Sequence, residues 1–295
     1  MTKIVLGTAQ FGMDYGINNV RGAIPRNEVF DILKMAMQSG IDVVDTAQAY
    51  GESENIIGDF IRSNHSDINV ISKLPACGHE EVRKIVTVSM ERLCLTSIFG
   101  YLLHDFSSYR KNSKVWYELE KLKKEKKIRK IGFSLYLPSE LDVLLKSDLE
   151  IDIVQVPFNV FDQRFSEYFA ELRKRSVEVY ARSVFLQGIV FKDYRTLGSH
   201  FDPIKDKIKM LSFLSKKSGI PIVALCINFA LINDCIDRVV VGVNNLQNMR
   251  EIIIAPRYGS AVRTMMSELL SLREDQEKVL LPFRWNISSE DMSKQ

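Results

Sequence analysis

Short apolar segments alternate with longer amphipathic segments along most of the chain. The apolar segments are three to six residues long and show little alternation between apolar and polar positions. The amphipathic segments repeat apolar residues at three- and four-residue spacing, as Val29, Ile32, Leu33 and Ala36 do. This pattern predicts β-strands that are buried on both faces, each followed by an α-helix.

The pattern predicts eight strands, at residues 3–6, 42–45, 69–73, 99–103, 129–134, 153–157, 177–181 and 239–241. It predicts helices at residues 27–39, 53–62, 80–93, 113–126, 138–146, 166–175, 206–218 and 247–255. An extra helix is predicted at 222–231, between the seventh and eighth strands. The chain is therefore expected to contain eight strand–helix units.

Such an alternation permits either an open, doubly wound sheet or a closed barrel. A doubly wound dinucleotide-binding sheet is expected to carry GxGxxG after its first strand. The segment from Gly7 to Gly12 reads GTAQFG, and no later segment supplies the pattern. We therefore predict an α/β fold of the (β/α)8 TIM-barrel type. Because no linker-like segment interrupts the chain, we predict one domain over residues 1–285 and a polar C-terminal tail at 286–295.

Composition and charge narrow the class of protein further. The 295 residues are 46% hydrophobic and 26% charged, which is typical of a globular chain able to bury a large core. Forty Lys and Arg residues against 37 Asp and Glu give a formal charge of +3, too balanced to indicate nucleic acid or an acidic membrane as the main partner. The sequence does not indicate the oligomeric state.

The four cysteines form no CxxC and lie beside no histidine at metal-ligand spacing. We therefore expect reduced thiols, no disulfide framework and no metal site. The N-terminal apolar run is too short for a signal peptide, and no segment approaches the roughly 18 apolar residues of a membrane helix. These observations favour a cytoplasmic protein.

Four side chains that can bear or exchange a proton follow three consecutive predicted strands. Asp45 ends the second strand and Tyr50 lies in its loop, Lys73 ends the third strand, and His104 ends the fourth. Barrel enzymes carry their active sites at the C-terminal ends of the strands, so these residues are expected to be neighbours. Each alone has an ordinary structural explanation, such as a turn cap for Asp45 or a solvent-directed cation for Lys73. Their joint placement favours a catalytic group.

The four residue types suit proton transfer to a carbonyl oxygen. A tyrosine with an ordinary pKa near 10 is a poor acid at neutral pH, and a nearby lysine cation is expected to lower that pKa. An aspartate would keep a buried lysine charged, and a histidine could donate to the carbonyl oxygen. The sequence therefore predicts Tyr50 as general acid, Lys73 as the cation beside it, Asp45 as the counterion and His104 as the donor that orients substrate.

The segments around these residues resemble the aldo-keto reductase family. Residues 45–54, DTAQAYGESE, resemble the DTAxxYGxSE motif of the family without departure, and Lys73 and His104 match its lysine and histidine positions. The resemblance covers residues 3–255 and implies a barrel that uses a nicotinamide cofactor to reduce an aldehyde or ketone. It implies that Asp45, Tyr50, Lys73 and His104 are the catalytic residues.

The resemblance also implies a set of cofactor-binding residues. They come from the opening loop, from the ends of the second, fifth, sixth and seventh strands, and from the segment after strand eight. They are Gly7, Thr8, Asp45, Ser134, Gln155, Arg182, Ser183, Phe185, Gly188, Gly242, Asn248 and Glu251. Leu135 replaces an asparagine that commonly follows Ser134 in the family. Arg182 replaces a tyrosine expected beneath the nicotinamide ring, where a flat guanidinium can also stack.

The segment 241–251, VGVNNLQNMRE, is similar to the one that binds the adenosine phosphate in the family. Family habit favours NADP as the cofactor. Asn248 stands where many members have an arginine for the 2′-phosphate, and Arg250 would lie on another helix face. The missing guanidinium makes NAD the alternative.

Two other functions stay open from the sequence. One is a cofactor-binding regulatory barrel with vestigial activity. The other is a metal-dependent sugar isomerase or aldolase, which needs a cluster of carboxylate and histidine ligands or a Schiff-base lysine, and Lys73 could serve as that lysine. Lys192, Arg195 and His200, in the long segment 185–203, suggest an anionic, sugar or nucleotide-sugar substrate in carbohydrate metabolism. The aromatic residues expected at the rim, and hence candidates for the substrate pocket, are Phe11, Tyr15, Tyr136, Phe158 and Phe161.

Overall fold

The computed structural model describes residues 2–285, which contain a closed barrel of eight parallel strands. The strands are β1 (Ile4–Gly7), β2 (Val43–Asp45), β3 (Asn69–Leu74), β4 (Ile98–Leu103), β5 (Ile128–Ser134), β6 (Ile153–Pro157), β7 (Glu178–Arg182) and β8 (Arg238–Gly242). Each strand pairs with the next in the sequence, and β8 pairs with β1 to close the barrel. The predicted (β/α)8 TIM barrel is confirmed. The predicted tail at 286–295 lies outside the described residues.

Helices surround the barrel. They are α1 (Ala9–Gly12), α2 (Arg26–Gln38), α3 (Ser53–Asn64), α4 (Val82–Arg92), α5 (Phe106–Lys111), α6 (Lys114–Lys124), α7 (Pro138–Leu145), α8 (Phe169–Lys174), α9 (Asp202–Ser218), α10 (Ile222–Leu231), α11 (Leu246–Ile254), α12 (Gly259–Arg263), α13 (Met266–Leu270) and α14 (Glu277–Leu280). Short 3-10 turns lie at His79–Glu81, Ser166–Tyr168, Leu186–Phe191, Ser199–Phe201, Ala255–Tyr258 and Pro282–Arg284.

The structure departs from the predicted elements mainly in short or terminal pieces. The sequence pattern missed α1, α5 and the helices after α11, which are too short to show a helical period. Helix α9 begins at Asp202 rather than at 206, because Pro203 stands in its first turn, where a missing N–H costs nothing. The extra helix at 222–231 is confirmed as α10.

Two apolar layers hold the barrel together. The strand residues that point outward, such as Ile4 and Leu6 of β1, pack in one large cluster against the helices. The residues between them point inward and form a separate cluster, which consists of Val5, Val43, Ile71, Leu102, Ile153, Tyr180 and Val240. Since successive side chains of a strand point to opposite faces, the next inward position lies two residues further along each strand.

Candidate active site

The next inward position of the barrel is occupied by polar residues and glycines. Advancing two residues from the inner apolar layer reaches residues at or near the ends of the strands, at the C-terminal mouth where barrel enzymes work. The residues at this level are Gly7, Asp45, Lys73, His104, Ser134, Gln155, Arg182 and Gly242. All eight were predicted as site residues from the sequence. Strand periodicity and barrel closure bring them into one ring.

Lys73 and Asp45 form a buried ion pair within this ring. The Lys73 ammonium donates to Asp45 Oδ1 at 2.5 Å and to the Thr46 carbonyl oxygen at 2.9 Å. The other Asp45 oxygen accepts from the Gln155 amide at 2.7 Å. Their side chains are 1% and 5% exposed, so this pair lies almost out of water. Burial lowers the pKa of Lys73, and the Asp45 carboxylate opposes that shift.

Tyr50 and His104 meet in front of this pair. Their rings lie edge to face, with centroids 5.8 Å apart, and the Lys73 ammonium is 5.2 Å from the Tyr50 ring centroid. Burial, together with the charges of Lys73 and Arg182, lowers the pKa of His104 to about 3. The imidazole is therefore neutral at neutral pH, with one ring N–H to donate.

The pKa of Tyr50 departs from the sequence expectation. We expected the lysine cation to lower it, whereas burial, with a smaller contribution from the Asp45 charge, raises it. Burial is the largest cause of this shift, and the Asp45 carboxylate that pairs with Lys73 itself raises the pKa of the phenol. Arg182 is the cation that pulls the pKa of Tyr50 down. The phenol keeps its proton at neutral pH, which is the form a proton donor needs.

The loop that carries Tyr50 is fastened to the first strand. Ser53 donates to the Thr8 carbonyl oxygen at 3.0 Å, and Thr46 donates to the Ser53 hydroxyl at 2.9 Å. At Gly12 a Cβ atom would lie 1.9 Å from the Tyr50 carbonyl oxygen, so only glycine allows this close approach. Gly12 thus allows the loop that carries Tyr50 to pack closely against the opening segment at the barrel mouth.

A cavity of about 480 Å³ opens at this mouth, a volume typical of small-molecule and cofactor sites. It extends from Tyr50 and His104 to Asn248 and Glu251 on α11. Asp45 lines it, whereas Lys73 stays behind the carboxylate. The twelve residues predicted to bind cofactor all line the cavity: Gly7, Thr8, Asp45, Ser134, Gln155, Arg182, Ser183, Phe185, Gly188, Gly242, Asn248 and Glu251.

The segment after β7 crosses the cavity in an unusual backbone conformation. Ser183, Leu186 and Gln187 have positive φ angles of 58°, 43° and 52°, and Gly188 has a φ of 99°. Such conformations are costly for residues with a Cβ and cluster at functional sites. Asn159 donates to the Ser183 carbonyl oxygen at 3.0 Å and Asn18 donates to the Gly188 carbonyl oxygen at 2.5 Å. These two amides hold the segment in place.

Arg182 is held flat at the start of this segment. Its guanidinium carbon lies 4.1 Å from the Tyr136 ring centroid, which is a cation–π contact. It donates to the Leu135 carbonyl oxygen at 2.9 Å and to the Ser183 hydroxyl at 3.1 Å. Leu135, which replaces the family's usual asparagine, therefore contributes its backbone to the site through Arg182.

Some rim residues predicted from the sequence lie elsewhere. Tyr15 and Tyr136 line the cavity, but Phe11, Phe158 and Phe161 are buried core residues that do not reach it. The three positively charged candidates of segment 185–203 do not line the cavity either. Arg195 pairs with Asp193, and His200 contacts the Lys278 carbonyl oxygen. Their charge therefore gives no support to an anionic substrate.

The sequence analysis missed lining residues of the β1–α2 connection. Asn18, Asn19 and Arg21 border the cavity, as do Asn244 and Asn245 before α11. The signal available was length: the 13-residue connection from Met13 to Pro25 is long for a barrel loop, and long loops usually have a function. Which of its side chains turn inward depends on its contact with the segment after β7.

Between residues 2 and 285, no group of three or more His, Cys, Asp or Glu side chains is arranged to hold a metal ion. In the same range no single helix has the length and apolarity to cross a membrane. The segments Ser199–Ser218 and Ile222–Leu231 meet those criteria only as a pair, and they bend by 100° between them.

A closed (β/α)8 barrel with a polar ring and an elongated cavity at its C-terminal mouth defines the class of barrel enzymes that act on a small molecule there. The aldo/keto reductase family matches residues 3–260, and the chain belongs to that family. It is accordingly an NAD(P)H-dependent oxidoreductase, as the resemblance in the sequence implied.

Individual relatives agree with this assignment. The uncharacterized oxidoreductase YqkF of Bacillus subtilis is 27% identical over 207 residues, which cover 64% of this chain and 67% of that protein. The L-galactose dehydrogenase of Arabidopsis thaliana is 26% identical over 284 residues, or 88% of this chain and 85% of that one. The holo form of aldo-keto reductase AKR11C1 from Bacillus halodurans shares the fold, with a TM-score of 0.74, 19% identity, and coverage of 94% of this chain and 95% of that chain.

Proposed function

We propose that this protein reduces the carbonyl group of a small molecule, with Tyr50 as general acid. The observation that carries the proposal is the placement of the Tyr50 phenol and the neutral His104 imidazole on one wall of the cavity, in front of the buried Lys73–Asp45 pair. A nicotinamide cofactor would supply the hydride.

The residues present fit such a cofactor. The cavity is long, and its two ends differ in chemistry. Ser134, Gln155 and Arg182 provide donors at the barrel mouth, which suit a carboxamide and a flat ring. Gly7 and Gly242 keep the strand ends free of side chains, since a Cβ on Gly242 would come within 3.0 Å of Gln10. Gly188 and Ser183 would cover the phosphate bridge, and Asn248 and Glu251 would face the adenosine.

The proton-transfer step follows from the protonation states. As the carbonyl carbon gains the hydride, its oxygen acquires an electron pair, and Tyr50 donates its phenolic proton to that oxygen. Solvent at the cavity mouth then returns a proton to the tyrosinate. The raised pKa of Tyr50 keeps the donor loaded at neutral pH, and the Arg182 charge limits the cost of forming the anion.

His104 orients the carbonyl. Because its pKa is about 3, it acts as a neutral hydrogen-bond donor and does not itself deliver a proton. The Lys73–Asp45 pair positions the base of the site through Gln155 and the Thr46 backbone. A Schiff base at Lys73 is disfavoured, because the ammonium is 1% exposed and is bonded on the side of Asp45.

The substrate we propose is a small aldehyde, ketone or sugar-like carbonyl compound. A relative that aligns with 88% of this chain carries the name L-galactose dehydrogenase, so aldoses belong in the substrate panel. The basic residues that suggested a nucleotide-linked substrate do not line the cavity, so a neutral carbonyl compound is the better first choice.

The test compares Tyr50→Phe with the unaltered protein for reduction of a carbonyl panel, including methylglyoxal, aromatic aldehydes and aldoses. General acid catalysis typically contributes about 10²- to 10⁴-fold, and a loss of that size in kcat is expected. Tyr117→Phe, which removes the same hydroxyl from a side chain 59% exposed on α6, is the matched control. Cofactor binding should survive in both variants. A Tyr50→Phe protein that reduces the panel at the original rate would rule out the proposed acid.

A further inference from the structure

The end of the cavity at α11 carries an unusual balance of charge. Its lining there consists of Arg21, Asn244, Asn245, Asn248 and Glu251. Among the lining residues of the described chain, the only Lys or Arg side chains are Arg21 and Arg182, and Arg182 is fixed against Tyr136 at the barrel mouth. Among the lining residues of the described chain, Arg21 is therefore the one cation at the adenosine end of the cavity.

Arg21 is already paired with a carboxylate. Its two terminal nitrogens donate to the two oxygens of Glu28 on α2, at 3.3 and 2.7 Å. These hydrogen bonds lower the pKa of Glu28, so the carboxylate is ionised at neutral pH. Releasing Arg21 toward another anion would break both bonds and leave the Glu28 carboxylate without a cation. The pair contributes no net positive charge.

Side chains also occupy the amino end of α11, where free backbone N–H groups would otherwise attract a phosphate. Glu28 accepts from the Leu246 N–H at 3.0 Å, and Asn245 accepts from the Asn248 N–H at 2.8 Å. A carboxylate thus takes the position at the helix terminus that an anionic ligand would prefer. Glu251, one turn further on, adds a second negative charge at the cavity wall. Arg21, Glu28 and Glu251 together sum to one negative charge.

We infer that the adenosine end of this cavity selects the unphosphorylated ribose, and that the protein binds NADH in preference to NADPH. This inference rests on the proposed function. A 2′-phosphate would bring a charge of about −1.5 to −2 toward Glu251, while Arg21, the cation that lines this end of the cavity, is paired with Glu28. A ribose 2′-hydroxyl can instead donate to the Glu251 carboxylate or to the Asn248 amide oxygen, and acidic residues commonly accept from this hydroxyl in NAD sites. The preference reverses the NADP expectation drawn from family habit.

Equilibrium binding tests the inference without turnover. Titrations of NADH and NADPH, followed by energy transfer from protein fluorescence to the dihydronicotinamide, should give a dissociation constant for NADPH that is larger by about tenfold or more. Adenosine fragments of the two cofactors should show the same preference, with 5′-ADP competing better than 2′,5′-ADP. Added salt should reduce the difference between the two dissociation constants, because it screens the repulsion of the 2′-phosphate. If Arg21 instead grips the phosphate, NADPH binds at least as tightly as NADH and weakens with salt, which overturns the inference.

Two variants of α11 sharpen the test. Asn248→Arg places a guanidinium on the cavity wall beside Glu251 and should lower the ratio of the NADPH to the NADH dissociation constant by about tenfold. Ile254→Arg adds the same charge at a position of the same helix that is 43% exposed and does not line the cavity, and it should leave the ratio of the two affinities nearly unchanged. Equal effects of both variants would mean that only overall charge matters, which contradicts the assigned site.

The outcomes separate this inference from the proposed function. If neither dinucleotide binds, the proposed function fails. If both bind and NADPH binds equally or better, the oxidoreductase proposal stands and only the selection at the adenosine end is wrong.

Discussion

Replacing Asp45 with asparagine tests whether the polar ring depends on its buried ion pair. The substitution keeps the shape of the side chain and one acceptor oxygen but removes the charge. Lys73, which is 1% exposed, then holds an ammonium with no counterion. The Thr46 carbonyl oxygen, 2.9 Å away, remains as a neutral acceptor.

The expected loss in the free energy of unfolding is large. Removing one partner of a buried pair typically destabilises a protein by about 3–5 kcal/mol, because an uncompensated charge stays out of water. Since asparagine retains one acceptor, we expect a loss near the lower limit, about 3 kcal/mol in the free energy of unfolding. Adding Lys73→Met removes the stranded charge and fills its volume with apolar atoms. The double variant should therefore recover much of the loss.

The loss should also depend on pH in a defined direction. Burial lowers the pKa of Lys73, and replacing Asp45 removes the largest contribution that opposes that shift. The folded-state pKa then lies below the unfolded value of about 10.4, so the unfolded chain binds more protons between the two. The destabilisation is complete below the folded pKa and disappears as the pH rises toward the unfolded pKa. The difference between Asp45→Asn and the unaltered protein should be smaller at pH 9.5 than at pH 7.

Urea unfolding at the two pH values measures these quantities. Asp59→Asn is the matched control, since Asp59 pairs at the surface with Arg26 and Arg62, whose side chains are 58% and 69% exposed, and should lose about 1 kcal/mol. The reasoning is refuted if Asp45→Asn costs no more than the control. It is also refuted if the double variant is no more stable than the single one.

Two further predictions follow from the site. The unaltered protein should lose stability when the pH falls from 7 to 4.5, because the folded pKa of His104, about 3, lies below its unfolded pKa of about 6.5 and protonation favours the unfolded chain. His104→Gln removes this group, so its loss over the same pH range should be smaller by about 2 kcal/mol. Urea unfolding at both pH values measures the two losses, and equal losses would contradict the prediction. Gly12→Ala should cost about 1–3 kcal/mol and lower kcat, since its Cβ would lie 1.9 Å from the Tyr50 carbonyl oxygen. Gly259→Ala, whose nearest neighbour would be 3.3 Å away, is the control, and a similar thermal unfolding midpoint and kcat in both variants would contradict the prediction.

The sequence by itself determined the barrel and the ring at its mouth. Eight short apolar runs with intervening helical segments left two architectures, and the missing glycine motif after β1 favoured the closed one. Near the end of each strand, a site residue lies two positions beyond a residue that faces the barrel interior. Because side chains alternate along a strand, the site residue faces the interior as well. Asp45, Lys73 and His104 could be grouped in advance for this reason, because adjacent parallel strands end at the same edge.

Only the tertiary structure decided how the charges in this ring interact. The direction of the Tyr50 pKa shift depends on burial and on the charge of Asp45, and neither effect can be read from spacing. The contact of Glu28 with Leu246 also cannot be predicted from spacing, because it joins positions 218 residues apart through the packing of α2 beside α11. On α2 alone, Glu28 resembles any exposed helix residue. Backbone periodicity is local and visible in the sequence, whereas electrostatic energies depend on distances and solvent exclusion that exist only after the chain has folded.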